Sequence, residues 1–255
     1  MSAEASAPSQ GQKTIAVVLY PGLTALDLVG PLQVLTTLER FAPRYRTVVV
    51  GERVAPVATD LPLRLTPDRT FGEVPRPEVV LVPGGRVPTI RAMSDPALRA
   101  YVRTAAASAE VVASVCTGSL LLAAVGLLEG RRATTNWFFS GVLEPFGATY
   151  LRERWVEDGK FVTAAGVSAG IDMALYLVAR LTDEATARRV QLALDYDPQP
   201  PFGRIDWDHV PLAPRAVRGG IGLVAPVLAA KPKRLLRSDR RVPPPPRGAG
   251  PARPR

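Results

Sequence analysis

The chain has 255 residues and is 47% hydrophobic, enough for one sizeable core, and it carries a net charge of +9. One cysteine excludes an intramolecular disulfide, and one cysteine with one histidine excludes the usual metal-ligand clusters. No apolar run reaches the ~18 residues needed to span a bilayer, and Met1–Gln12 is small and polar without a signal core, so a cytoplasmic protein with no membrane partner is expected.

Strands and helices alternate along the chain. Thr14–Leu19 reads as a buried strand, and Ala25–Leu38 as an amphipathic helix with Pro31 near its start. Tyr45–Val50 is a strand and Val57–Leu65 a short hairpin. Val79–Val82 is a strand ending in Pro83-Gly84-Gly85. Asp95 as N-cap and Pro96 at the first helical position open a helix over Pro96–Ser108. The apolar Glu110–Ser114 predicts a strand, and Gly118–Val125 a helix stopped by Gly126. Asn136–Leu143 is expected to be helical. Arg154–Val156 and Phe161–Thr163 flank the hairpin signal Glu157-Asp158-Gly159-Lys160. Val167–Leu181 and Asp183–Leu194 read as helices, with Thr182 as the cap between them. This alternation predicts an α/β fold, a mostly parallel sheet sandwiched by helices.

The domain is expected over residues 13–203, with 204–255 as a basic Pro/Arg-rich tail. From Pro211 onward, eleven Lys/Arg against Asp239 give +10, so residues 1–210 carry −1 of the whole chain's +9. Such a tail, with Pro243-Pro244-Pro245-Pro246-Arg247, buries no core and is expected to be disordered. It touches nucleic acid or anionic surfaces only non-specifically, and a merely solvated extension is the plainer reading.

The chemistry centres on Ser114-Val115-Cys116-Thr117-Gly118, where a strand turns into a helix. A nucleophile at such an elbow is held on a tight bend with its side chain exposed, beside free helix N–H groups. That setting predicts a thiol pKa below the free value of roughly 8.5. A buried structural cysteine is the competing reading. In a parallel sheet, ligands bind outside the carboxyl ends of the strands, where three loops stand out: Tyr20–Asp27, Gly84-Gly85 and the Cys116 turn. The Gly85 and Thr117 N–H groups would form an oxyanion-type site opposite the sulfur. Asp27, between Leu26 and Leu28, is either a helix cap or a general acid kept protonated beside the thiolate. Trp137 is expected to wall an apolar pocket, with core packing as the alternative. His209, the sole histidine, lies at the start of the tail, so papain-like and glutaminase mechanisms lack a base.

Taken together, these segments resemble the DJ-1/PfpI superfamily, whose fold is class I glutamine amidotransferase-like (flavodoxin-like). Leu19-Tyr20-Pro21-Gly22 leading to Leu26-Asp27-Leu28-Val29-Gly30-Pro31 is similar to the first loop of the isonitrile hydratase branch. So are Val82-Pro83-Gly84-Gly85, Ser114–Ser119, Gly126–Thr135, Thr163–Asp172, and Val190–Tyr196 with Pro200-Pro201-Phe202. The resemblance implies Cys116 as nucleophile, Asp27 as its acidic partner and Thr117 beside the sulfur. It implies hydration of a small-molecule isonitrile to an N-substituted formamide, no cofactor, and a homodimer. It equally implies a ligand- or redox-sensing domain like the sensor half of AraC-like regulators, although residues 211–255 are too short and Pro/Arg-rich for a helix-turn-helix. Other branches suggest glyoxal or glycation-related hydrolysis. The family often has His after Ala-Thr-Thr, where this chain has Asn136.

Overall fold

The computed structural model describes residues 11–207 and residue 209. The readings for Met1–Gln10 and for the tail beyond Val210 lie outside the described residues.

In chain order the elements are β1 (Lys13–Val18), α1 (Ala25–Leu38), β2 (Tyr45–Gly51), β3 (Val57–Ala58), β4 (Arg64–Leu65), β5 (Arg69–Thr70) and β6 (Val79–Val82). Then come α2 (Val87–Ala92), α3 (Pro96–Ser108), β7 (Val111–Val115), α4 (Gly118–Ala124) and β8 (Arg132–Ala133). A 3-10 helix over Trp137–Val142 follows, and then β9 (Thr149–Tyr150), β10 (Trp155–Asp158), β11 (Phe161–Ala164), α5 (Ala169–Leu181) and α6 (Glu184–Ala193).

Seven strands form the central sheet in the order β10-β11-β7-β6-β1-β2-β5. All neighbours are parallel except the β10–β11 hairpin. The register runs Ile15 beside Val79 beside Val111, with Val112 beside Phe161. Every residue of β6, β7 and β11 is buried, so these strands read as continuous apolar runs because helices cover both faces of the sheet. Helices α1, α5 and α6 pack on one another; α3 lies against β6, and α4 against β6 and β7.

The predicted elements are present, with small shifts at their ends. Thr182 caps the C-terminus of α5, and the N-cap of α6 is Asp183, its carboxylate accepting from Thr186 N–H at 2.7 Å. A carboxylate beside a helix N-terminus also gains from the dipole, which a threonine hydroxyl does not. Asn136–Leu143 is a 3-10 helix, with Asn136 Oδ1 accepting from Phe138 N–H at 3.1 Å. Helix α2 and strand β5 were absent from the sequence reading, as was the β8–β9 ladder. Helix α1 is capped from a distance, because Asp60 in the β3–β4 hairpin accepts from Ala25 N–H at 2.9 Å.

The order of strands decides where chemistry can occur. Strands β11, β7, β6 and β1 are consecutive neighbours. Their carboxyl ends bring together the loop at Gly166, the Cys116 turn, Gly84-Gly85 and the turn before α1. The crevice expected from the sequence therefore has a fourth wall.

Candidate active site

Cys116 sits between β7 and α4 at φ 57°, in the left-handed region that a side chain disfavours. Such strain costs on the order of 1–3 kcal/mol and persists only when the surroundings over-determine it. Here they do. The Cys116 N–H donates to Ala164 O at 3.0 Å, and its carbonyl accepts from Ser119 Oγ at 3.1 Å and Thr135 Oγ1 at 3.0 Å. Gly166, at φ 132°, closes over the thiol. A Cβ there would stand 3.1 Å from Cys116 Cβ and 3.2 Å from Sγ. The positive φ and this tight spacing together strain any other residue at 166.

The expected elbow is present, but its thiol is not exposed. Cys116 is 1% accessible. Burial pushes its pKa up, the Asp27 charge adds to this, and the Thr117 N–H opposes it only in part. The low-pKa thiol expected from the helix terminus is therefore corrected: desolvation and the neighbouring Asp27 charge outweigh the hydrogen bonds from Thr117.

Asp27, on the first turn of α1, is fully buried against the thiol. Desolvation pushes its pKa up to about 7, although hydrogen bonds from the thiol and from Gly84 N–H (3.2 Å to Oδ2) favour the carboxylate. With Cys116 higher than Asp27, the singly protonated pair is thiol and carboxylate, and near neutral pH both forms of the Asp27 carboxyl are populated.

The glycines play a different part from the one expected. Gly85 N–H is not free for an oxyanion, because it donates to Thr117 Oγ1 at 3.0 Å, as does Arg86 N–H at 3.0 Å. Gly84 must lack a side chain, since a Cβ there would lie 2.5 Å from Thr117 N and 3.0 Å from Asp27 Oδ2. The loop thus orients the acid and the hydroxyl, and the Thr117 N–H is the backbone donor at the sulfur. Behind Thr117 runs a line of buried hydroxyls: Thr117 to Thr89 at 2.8 Å, Thr89 to Tyr20 at 3.0 Å, and Tyr20 to the Pro83 carbonyl at 2.9 Å.

A cavity of about 390 Å³ opens beside this cluster. Gly166 and Thr135, which lie against Cys116, line it together with Arg86, Asn136 and Trp137. Ile205 and Trp207 line it too. Trp207 stands against Trp137 at 6.2 Å between ring centroids, and its carbonyl accepts from Arg152 Nη1 at 3.4 Å. Part of the segment assigned to the tail from residue 204 therefore belongs to the cavity. His209 is exposed and spends its ring on Asp206 at 2.6 Å. Asp172, in the glycine-rich start of α5, binds Arg154 and accepts from Tyr196 Oη at 2.7 Å, so it is a structural tie. Among the described residues no cluster of metal-ligating side chains occurs, and no helix is long and apolar enough to cross a membrane.

The family model for DJ-1/PfpI matches residues 13–180. The isonitrile hydratase of Pseudomonas putida is 41% identical over 199 residues, covering 78% of this chain and 85% of that protein. The HTH-type transcriptional regulator CdhR of Pseudomonas aeruginosa is 30% identical over 194 residues, which span 74% of this chain and 54% of the regulator. The crystal structure of a THiJ/PfpI family protein from Pseudomonas syringae superposes with a TM-score of 0.75 at 36% identity, covering 89% of this chain and 94% of that one. The sheet, the cysteine turn and the extent of these matches agree: the chain belongs to the DJ-1/PfpI family.

Proposed function

We propose that the protein is an isonitrile hydratase-like enzyme that converts an isonitrile and water to an N-substituted formamide. The observation that carries this reading is the buried Cys116–Asp27 pair, whose carboxyl is pushed up to about 7 and which no histidine accompanies. The similarity to the Pseudomonas putida hydratase supports it.

The chemistry needs a nucleophile and a proton that moves to carbon and back. As the sulfur attacks the terminal isonitrile carbon, the thiol proton passes to the Asp27 carboxylate. Asp27 then gives it to that carbon, forming an S–C and a C–H bond and leaving a thioimidate. Water adds to the thioimidate carbon, giving one proton to the Asp27 carboxylate, which passes it to the nitrogen to make N–H; the proton left on the adduct's hydroxyl then goes to Asp27 as the carbonyl forms. Collapse expels the sulfur, which recovers its proton from Asp27, and releases the formamide. The Thr117 N–H steadies the sulfur as charge passes through it.

Incubation with a simple alkyl isonitrile, followed by NMR, is expected to show the formamide, and Cys116→Ser to remove at least ~100-fold of that rate. Absence of formamide from the parent protein would refute the hydratase reading. A ligand-sensing domain is the second reading, favoured by the similarity to CdhR. It predicts binding in the cavity with no turnover. A redox sensor is disfavoured by the burial of the thiol and its upward shift. The hydratase reading carries with it a cytoplasmic homodimer, and light scattering that finds only monomer at micromolar concentration would count against the dimer.

A further inference from the structure

Arg86 has two properties that packing does not account for. Its backbone stands at φ 54°, ψ −119°, a conformation glycine adopts freely and other residues rarely. It directly follows Gly84-Gly85, so the strain is not a general property of this loop's sequence. Secondly, while its N–H is fixed on Thr117 Oγ1, its guanidinium forms no direct hydrogen bond or ion pair among the described residues, and its charge reaches Asp27 only as the smallest of the effects on that carboxyl.

The other charges lining the cavity are differently placed. Arg154 is committed to Asp172, and Arg152 donates to the Trp207 carbonyl. Glu153 is the one carboxylate on the wall. Strain retained at a side chain facing a cavity points to a use for that side chain. A guanidinium presents a planar fork of donors that matches a carboxylate in two hydrogen bonds. Trp137 and Trp207 line the same cavity and give it an apolar, aromatic wall. Gly166, which lines the cavity, lies directly against the Cys116 thiol.

We propose that Arg86 binds the carboxylate of a substrate whose apolar body lies on the Trp137–Trp207 wall and whose reacting end reaches Cys116. Resting on the hydratase reading, this names its substrate class: isonitriles of large apolar or aromatic α-carboxylic acids. Arg86 then sets specificity by charge, and the tryptophans set it by shape.

The test compares 2-isocyano-3-phenylpropanoate with its methyl ester, which share a body and differ in charge. The parent protein is expected to show kcat/KM at least ~10-fold higher for the acid, the scale of one charge-assisted hydrogen-bonded contact. Arg86→Gly, which suits the backbone and keeps the fold, is expected to bring the ratio near one, with Arg86→Lys in between. A second arm measures binding of N-formylphenylalanine and its methyl ester by tryptophan fluorescence. If the parent binds acid and ester equally, or if Arg86→Gly keeps the preference, the proposal is overturned. If the acid is preferred in binding but neither isonitrile is turned over, the role of Arg86 stands and the hydratase reading alone falls.

Discussion

Asp27 is where the sequence and the folded molecule most change each other's meaning. A carboxylate between two leucines signals burial, and burial brings its pKa to about 7. Under the proposed chemistry the carboxylate form must accept the thiol proton, so kcat/KM is expected to rise with pH through about 7 and then level off, since the thiol titrates far higher. Asp27→Asn is expected to lower formamide production at least ~100-fold. Stability follows the same group. In the unfolded chain Asp27 titrates near ~3.9, so the folded state holds its proton more tightly. The stability it contributes is intact below that value and is lost as pH rises towards 7, beyond which a buried carboxylate is a liability. Melting curves of Asp27→Asn and the parent are expected to diverge in favour of Asn as pH goes from 5 to 8. A gap that does not change with pH would show that Asp27 is not held near 7.

Among elements, the β11–α5 loop is as constrained as the cysteine turn it covers. Gly166→Ala is expected to fold with a melting temperature lower by several degrees and to lose at least ~10-fold in activity, because positive φ and a 3.1 Å clash with Cys116 Cβ act together. Activity equal to the parent would mean that the thiol tolerates displacement. The same loop shows what could be read from sequence. The runs at Val79–Val82 and Val111–Val115 were legible as buried strands, since parallel strands under helices carry no polar face. Cys116, Asp27, Thr117 and Gly84 were legible as a group because strand ends and tight turns leave local marks. Helix α2 was not, because its six residues follow a Gly-Gly turn and include Pro88. Asp60 as the cap of α1 leaves no local mark, since the bond spans 35 positions. The positive φ of Arg86 was equally invisible, for arginine is not a residue that announces such a turn.

For the molecule as a whole, the boundary of the working unit moves towards the C-terminus. The extent of the family resemblance set it at residue 203, yet Ile205 and Trp207 line the cavity. Truncation after Gly203 is expected to raise KM several-fold while leaving the melting temperature within about two degrees, because the lost residues touch the cavity wall and not the core. Truncation after His209 is expected to change neither. Equal KM values for the two truncations would return the segment to the tail. The contact between Trp207 and Trp137 was illegible in sequence for a simple reason: 70 residues separate two rings that only the completed fold brings together.

The line of hydroxyls behind Thr117 has a direction. The Pro83 carbonyl can only accept, so Tyr20 gives its proton there and Thr89 gives to Tyr20, while the one Thr117 hydroxyl proton is shared between Thr89 and the sulfur. Thr117 Oγ1 meanwhile accepts two backbone N–H groups and is saturated. The Thr117 hydroxyl also touches the sulfur, but an alcohol is too weak an acid to give up its proton there, so the acid that trades with the sulfur is Asp27, which is itself buried from solvent. On the proposed chemistry, the hydrogen on the product's formyl carbon is therefore inherited from that two-atom reservoir and not taken directly from water. Its isotopic identity, in a single turnover begun by dilution into deuterated solvent, becomes a clock for how often the buried pair opens to the outside.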